Sequence, residues 1–190
     1  INNLISAHIF SYLNKNSVQT HFIRRISDRE QLIKKVKIIP LEVVIRNIAA
    51  GSIAEKFNIT EGTRLPKTII EYYYKCDKLN DPFVNKNHII AFKWANELEL
   101  RSIEIQANKI NILLKKMFNK VSINLIDFKI EFGRLNRNNI VLADEISPDS
   151  CRLWDKTTKK KLDKDVFRRN IGDLEEVYNE LLDRLGLNKI

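Results

Sequence analysis

The sequence predicts a mixed fold of helices and strands, either one large domain or two small lobes around a shared cleft. Three observations carry this. The stretch from Ser122 to Gly133 alternates apolar and polar residues too cleanly for a helix. Ile103, Ala107, Ile110, Leu114 and Met117 repeat at helical spacing. A chain of 190 residues, 44% hydrophobic and 30% charged, is long enough for a real core and too apolar for a disordered tail.

In chain order, Leu4, Ile5, His8, Ile9, Tyr12 and Leu13 predict an amphipathic helix, with His8 read as a core histidine on its apolar face. The β-branched content from Gln31 to Ile39 and the stop at Pro40 predict a strand ending in a connector. A second short strand, Leu41 to Arg46, would place Glu42, Val44 and Arg46 on one face and Leu41, Val43 and Ile45 on the other. Gly62, Pro66 and Pro82 punctuate the next segment, which reads as loops around a short strand at Thr68 to Tyr74. The long helix follows, with Glu104, Lys109 and Lys116 on its polar side. Next comes the alternating strand, with Ile126, Phe128, Ile130 and Phe132 toward the core and Asp127, Lys129 and Glu131 opposite. A turn-rich Arg134 to Asn139 leads into a strand at Ile140 to Glu145. Phe167, Ile171, Leu174, Val177, Leu181 and Leu185 predict one C-terminal helix, started near Asp163 or Asp165 and closed by Gly186.

Lys+Arg 33 against Asp+Glu 24 gives a net charge of +9, which suits either a polyanion such as nucleic acid or small anionic metabolites. The lysines are scattered among acids and form no basic stripe with interleaved aromatics. No apolar run approaches the ~20 residues of a membrane helix, and the start has neither an initiator Met nor the regions of a signal peptide. A soluble protein is expected. Cys76 and Cys151 are too few for a disulfide framework or a cysteine zinc site and read as free thiols of a reducing cytoplasm. Acidic neighbours argue against Cys151 as a nucleophile. Walker, G-x-G-x-x-G, H-E-x-x-H and G-x-S-x-G motifs are absent.

Three constellations carry chemistry. If the hairpin is centred between Arg137 and Asn138, Glu131 lies across from Asp144, and two opposed carboxylates cost up to ~1 kcal/mol unless a cation or proton intervenes. A divalent metal explains the pair, and Mg²⁺ suits few carboxylates plus substrate phosphates. A solvated edge strand with Lys129 neutralising its neighbours explains it equally. Arg46 through Gly51 and Ser52 can grip an anion, or form an ordinary surface turn. The loop from Asp144 to Asp155 packs four acids, Arg152 and Trp154 together, lining a site unless Trp154 is a plain hydrophobic plug.

Taken together, Ile39 to Arg46 through Gly51-Ser52, Leu125 to Gly133, the Asp144 to Asp155 loop, Asp81-Pro82 and Asp165 to Arg169 resemble the SAICAR synthetase (phosphoribosylaminoimidazole-succinocarboxamide synthase) family in order and spacing from Asn2 to beyond Gly186. The resemblance implies a two-lobed α+β fold with a kinase-like ATP cleft. Residues 1–39 would be the remainder of the N-terminal ATP-binding lobe and 40–190 the C-terminal lobe with the substrate and metal sites. It implies an ATP-dependent ligase of purine biosynthesis. The carboxylate of carboxyaminoimidazole ribotide is phosphorylated, and L-aspartate displaces phosphate to give SAICAR and ADP. Position by position, Glu131 and Asp144 resemble the Mg²⁺ ligands and join Lys129 as catalytic residues. Arg46, Ser52 and Arg152 resemble the grip on the ribotide phosphate, with Asp81 by the imidazole. Val36 and Ile38 resemble the hinge whose backbone reads adenine. The implied setting is cytoplasmic, with no nucleic acid or membrane partner, and the resemblance admits a homodimer. The family's upstream glycine-rich turn and lysines precede the point where this chain starts, so the N-terminal lobe is expected to be incomplete here, and residues 1–190 alone are not expected to ligate aspartate. Alternatives are another ATP-using kinase of similar architecture, such as an inositol phosphate kinase, and a basic nucleic-acid module.

Overall fold

A computed structural model describes residues 1–136 and 139–188. The chain opens with α1 (Asn2–Lys15), which buries Ile5, Ile9, Phe10 and Leu13 and leaves His8 half-buried. β1 (Phe22–Arg25) and β2 (Gln31–Ile33) pair as a separate two-stranded sheet. Next come β3 (Lys37–Ile48), the short α2 (Ser52–Lys56), β4 (Arg64–Tyr74), β5 (Phe83–Val84), α3 (Lys86–Ala91) and α4 (Glu97–Asn119). The rest is β6 (Ile123–Asn136), β7 (Asn139–Ala143), β8 (Cys151–Asp155), α5 (Asp165–Arg168) and α6 (Leu174–Arg184). The six-stranded antiparallel sheet runs β5-β4-β3-β6-β7, with β8 also on β6. It packs against α4, which is started by a reciprocal cap between Asn96 and Glu99 and buries Leu100, Ile103, Ala107, Ile110 and Leu114. The architecture is α+β. Among the described residues no helix is long and apolar enough to cross a membrane.

Several expectations need correction. Pro40 does not end a strand, because β3 runs through it. The β3·β6 register jumps between Ile38 and Glu42, so the amide that proline lacks falls where the ladder is already interrupted, and the Pro40 carbonyl accepts from Lys75 N at 3.1 Å. The short strand Thr68 to Tyr74 begins earlier, at Arg64. On β6, Phe128, Ile130 and Phe132 join the main core, but Ile126 packs with Ala50 and Trp154 in a separate cluster. The cause is a register shift against β8 between Leu125 and Asp127, which breaks the alternation.

The hairpin register is also off by one. Its expected centre, Arg137 and Asn138, lies outside the described residues. The flanking pairs Asn136↔Asn139 and Arg134↔Ile140 differ in register, which sets Glu131 opposite Ala143 rather than Asp144. Across β3 its partner is another carboxylate, Glu42.

The single C-terminal helix is two. Asn170 at φ +50 follows α5, and Asp173 starts α6 by accepting from Glu175 N at 2.7 Å and Glu176 N at 3.1 Å. Phe167 and Ile171, counted as core, are exposed. Gly186, at φ +71, closes α6 as expected.

Candidate active site

Strand pairing builds the site. Arg46 near the end of β3 stands opposite Asp127 of β6, which stands opposite Arg152 of β8. A row of alternating charge therefore crosses three strands. Asp127 Oδ2 accepts from Arg46 Nη1 at 3.0 Å and from Arg152 Nη1 at 2.9 Å. Glu71 on β4 accepts from Arg46 Nε at 2.6 Å, and Asp165 on α5 accepts from Arg152 Nε at 2.8 Å and Arg168 Nη1 at 3.0 Å. Arg46 Nη2 donates to Ser52 Oγ at 2.9 Å, so the expected trio Arg46, Ser52 and Arg152 does come together. Arg46, Ser52, Asp127 and Arg152, with Tyr73, Lys129 and Arg168, line a pocket of about 430 Å³.

Arg46, Arg152 and Arg168 are matched by Glu71, Asp127 and Asp165, which they share, so this part of the pocket is close to neutral. Burial works against the Arg46 charge, but hydrogen bonding to Glu71 and the Asp127 field outweigh it and raise its pKa above arginine's ordinary value. Arg152 is raised the same way, burial being overcome by Asp127 and Asp165. All five Arg46 N–H directions are taken up within the protein, counting longer contacts to Ala50 O at 3.5 Å and Tyr73 Oη at 3.4 Å. Arg152 Nη2 has no acceptor among the described residues, and it sits against Gly51. A Cβ there would lie 2.5 Å from it, and Gly51 holds φ +56.

Beside this pocket lies the carboxylate cluster. Lys129 Nζ is 3.1 Å from Glu42 Oε1, 3.1 Å from Glu131 Oε1 and 3.4 Å from Asp144 Oδ2. Lys75 Nζ donates to both Glu131 oxygens at 2.7 Å. Burial disfavours the Lys129 ammonium, yet Glu131, Glu42 and Asp144 lift its pKa well above lysine's ordinary value. Among the described residues no three acidic, histidine or cysteine side chains form a ready-made metal cage. The donor set nonetheless fits a hard cation: three carboxylates face only two ammoniums, all donors are oxygen, and Mg²⁺ completes its shell with water and phosphate.

The remaining expected residues stand apart from the pocket wall. Asp81 closes its own turn by accepting from Cys76 N at 2.7 Å. Val36 packs on β6, close enough that a Cβ on Gly133 would lie 2.5 Å from its Cγ2, and Ile38 pairs with Gly133. Trp154 is mostly buried, with the Lys161 ammonium 5.3 Å from its ring centroid. Burial pushes the Cys151 thiol far up, in keeping with an inert cysteine. Sequence reasoning passed over Glu42, Glu71, Lys75 and Arg168 as site residues. The period of two on β3 puts Glu42 on the Arg46 face; strand register places Glu71 and Lys75, and Arg168 is held on α5 by Asp165, within the Asp165 to Arg169 segment.

Residues 1–185 match the SAICAR synthetase family. The chain belongs to that family. A phosphoribosylaminoimidazole-succinocarboxamide synthase of Listeria welshimeri is 56% identical over 185 residues, covering 97% of this chain and 78% of its own. The crystal structure of the Ehrlichia chaffeensis enzyme superposes with a TM-score of 0.95 at 48% identity, over 100% of this chain and 80% of that one. A SAICAR synthetase solved in complex with ADP gives a TM-score of 0.94 at 44% identity, over 97% and 78%. The fold is thus the two-lobed SAICAR synthetase architecture. The activity is that of a carbon–nitrogen ligase making SAICAR in purine biosynthesis.

Proposed function

We propose that this SAICAR synthetase holds the ribotide phosphate in the Arg46–Ser52–Arg152 pocket and carries out phosphoryl transfer beside it, at Lys129, Glu131 and Asp144. The observation that supports this reading is the row Arg46–Asp127–Arg152, which brings two guanidiniums and the Ser52 hydroxyl to one cavity next to the carboxylate cluster. Arg152 Nη2 and the Ser52 hydroxyl hydrogen offer donors to a phosphate, and Arg46 joins by exchanging its Ser52 and Tyr73 contacts for phosphate oxygens. Lys129 neutralises the carboxylate of the carboxyaminoimidazole as it attacks the γ-phosphate of ATP. The L-aspartate amine then displaces phosphate from the acyl phosphate. This chemistry needs positioning and charge neutralisation, with no protein nucleophile. Glu131 and Asp144 would hold Mg²⁺, which neutralises nucleotide phosphates when bound, and Lys75 would withdraw from Glu131 to admit it.

Val36 and Ile38 present backbone to adenine at the division between residues 1–39 and 40–190, Asp81 contacts the imidazole, and the enzyme works in the cytoplasm. The similar enzyme solved with ADP supports the nucleotide assignment. Arg152→Ala tests the pocket. A lost charge-assisted hydrogen bond costs about 1.5–3 kcal/mol, so ribotide affinity should fall by about tenfold or more while ATP affinity holds. Unchanged ribotide affinity would refute the assignment.

A further inference from the structure

Asn111 is the single polar residue among those that α4 buries, amid Leu100, Ile103, Ala107, Ile110 and Leu114. It meets Asn47 of β3 in a reciprocal amide pair: Asn47 Nδ2 donates to Asn111 Oδ1 at 2.9 Å, and Asn111 Nδ2 donates to Asn47 Oδ1 at 3.0 Å. Thr68 Oγ1 of β4 donates to Asn47 Oδ1 at 3.1 Å and accepts from Asn111 Nδ2 at 3.3 Å. Asn47 Nδ2 also reaches Leu125 O of β6 at 3.3 Å. Four elements are tied by three side chains, two of them nine-tenths buried. An apolar pair would fill the same space without the desolvation cost, so the network must specify something that packing alone does not.

Its place in the sheet suggests what. On both flanks of β3 the regular ladder gives out at Asn47. The register with β4 jumps from Arg46↔Ile69 to Ile48↔Arg64, and the pairing with β6 ends at Arg46↔Asp127. Side-chain amides replace the backbone ladder at the residue joining Arg46 to the turn that carries Gly51 and Ser52.

We propose that Asn111, which does not line the pocket, is a positioning residue for the ribotide-phosphate site. It locks Asn47, and through it both the exit of Arg46 from the sheet and the approach of the Ser52 turn. This rests on the reading that the ribotide phosphate occupies that pocket.

Asn111→Leu removes the pair at similar volume, and Thr68→Val removes only the hydroxyl. Steady-state kinetics of the native enzyme, below the unfolding temperature of each variant, separates positioning from mere stability. Asn111→Leu should raise the ribotide KM about tenfold, the scale of one lost buried hydrogen bond. Thr68→Val should raise it about threefold by the same reasoning. The ATP KM and kcat should stay near the parent values. A purely structural network would lower Tm and leave the ribotide KM alone, which overturns the inference; if Asn111→Leu does not fold, Thr68→Val alone decides it. Arg152→Ala, run in parallel, isolates the underlying assignment. If that variant binds ribotide normally, the pocket reading fails; if it is impaired while the network variants are not, only the positioning role fails.

Discussion

Gly51→Ala is the sharpest single test of how the pocket is assembled. Gly51 sits at φ +56, ψ −137, where a side chain is strained, and such backbone strain costs about 1–3 kcal/mol. The new Cβ would also stand 2.5 Å from Arg152 Nη2, 2.8 Å from Cζ and 3.0 Å from Nη1, so the guanidinium must move. It is fixed by Asp127 and Asp165, and losing one of those charge-assisted bonds adds about 1.5–3 kcal/mol. At about 2–4 °C per kcal/mol for a chain of this size, Tm should fall by roughly 10 °C. Gly186→Ala supplies the control. Its φ is +71, but nothing lies within 4 Å of its Cβ position, so only the left-handed strain of about 1–2 kcal/mol remains. Calorimetric unfolding and ribotide titration of both variants separate the contributions. Gly51→Ala should lose about tenfold or more in ribotide affinity, and Gly186→Ala none. A Gly51→Ala enzyme no less stable than Gly186→Ala, binding ribotide normally, would refute the reasoning.

Glu131→Gln removes charge without volume, so Mg²⁺-dependent ATP turnover should vanish while circular dichroism stays native, since the half-exposed Lys75 can turn to water; full turnover at limiting Mg²⁺ would contradict the metal assignment. Asp163, fully buried, is pushed up to about 6 by desolvation, which outweighs the amides of Leu153 and Asp165 that it accepts. Its folded pKa lies above its unfolded one, so its contribution is fully present below about pH 3.9 and lost as pH rises through about 6, a swing of roughly 3 kcal/mol. Denaturant unfolding of the parent and Asp163→Asn should diverge by that order between pH 4 and 7, and a pH-independent difference would remove Asp163 as the cause.

What could be read before the structure was what repeats. The stripe on α4 and the alternation on β6 are periodic, and periodicity follows from which face must be dry. Bulges were hidden because they are exceptions to that period. Ile126 fits the alternation on paper, yet one residue of slip against β8 sends it to a different cluster. The same effect moved Glu131 from Asp144 to Ala143. Phe167 and Ile171 kept helical spacing although the backbone leaves the helix at Asn170, before Ile171 is reached, and the Asn-Ile-Gly-Asp run was a signal that the spacing overrode. At the site, Arg46, Ser52 and Arg152 were found through family motifs. Glu71 could not be, since its role follows from β4 lying next to β3.

The alternating charges across β3, β6 and β8 make the pocket electrically quiet at a distance. Opposite charges about 3 Å apart form a short dipolar lattice whose field dies away within a few ångströms. A passing anion is not drawn in from afar by this patch, despite the chain's net charge of +9. Recognition happens on contact, when phosphate oxygens exchange places with hydroxyls on guanidiniums already aimed and held. The enzyme thus meets most of the cost of ordering its arginines during folding, before any ribotide arrives.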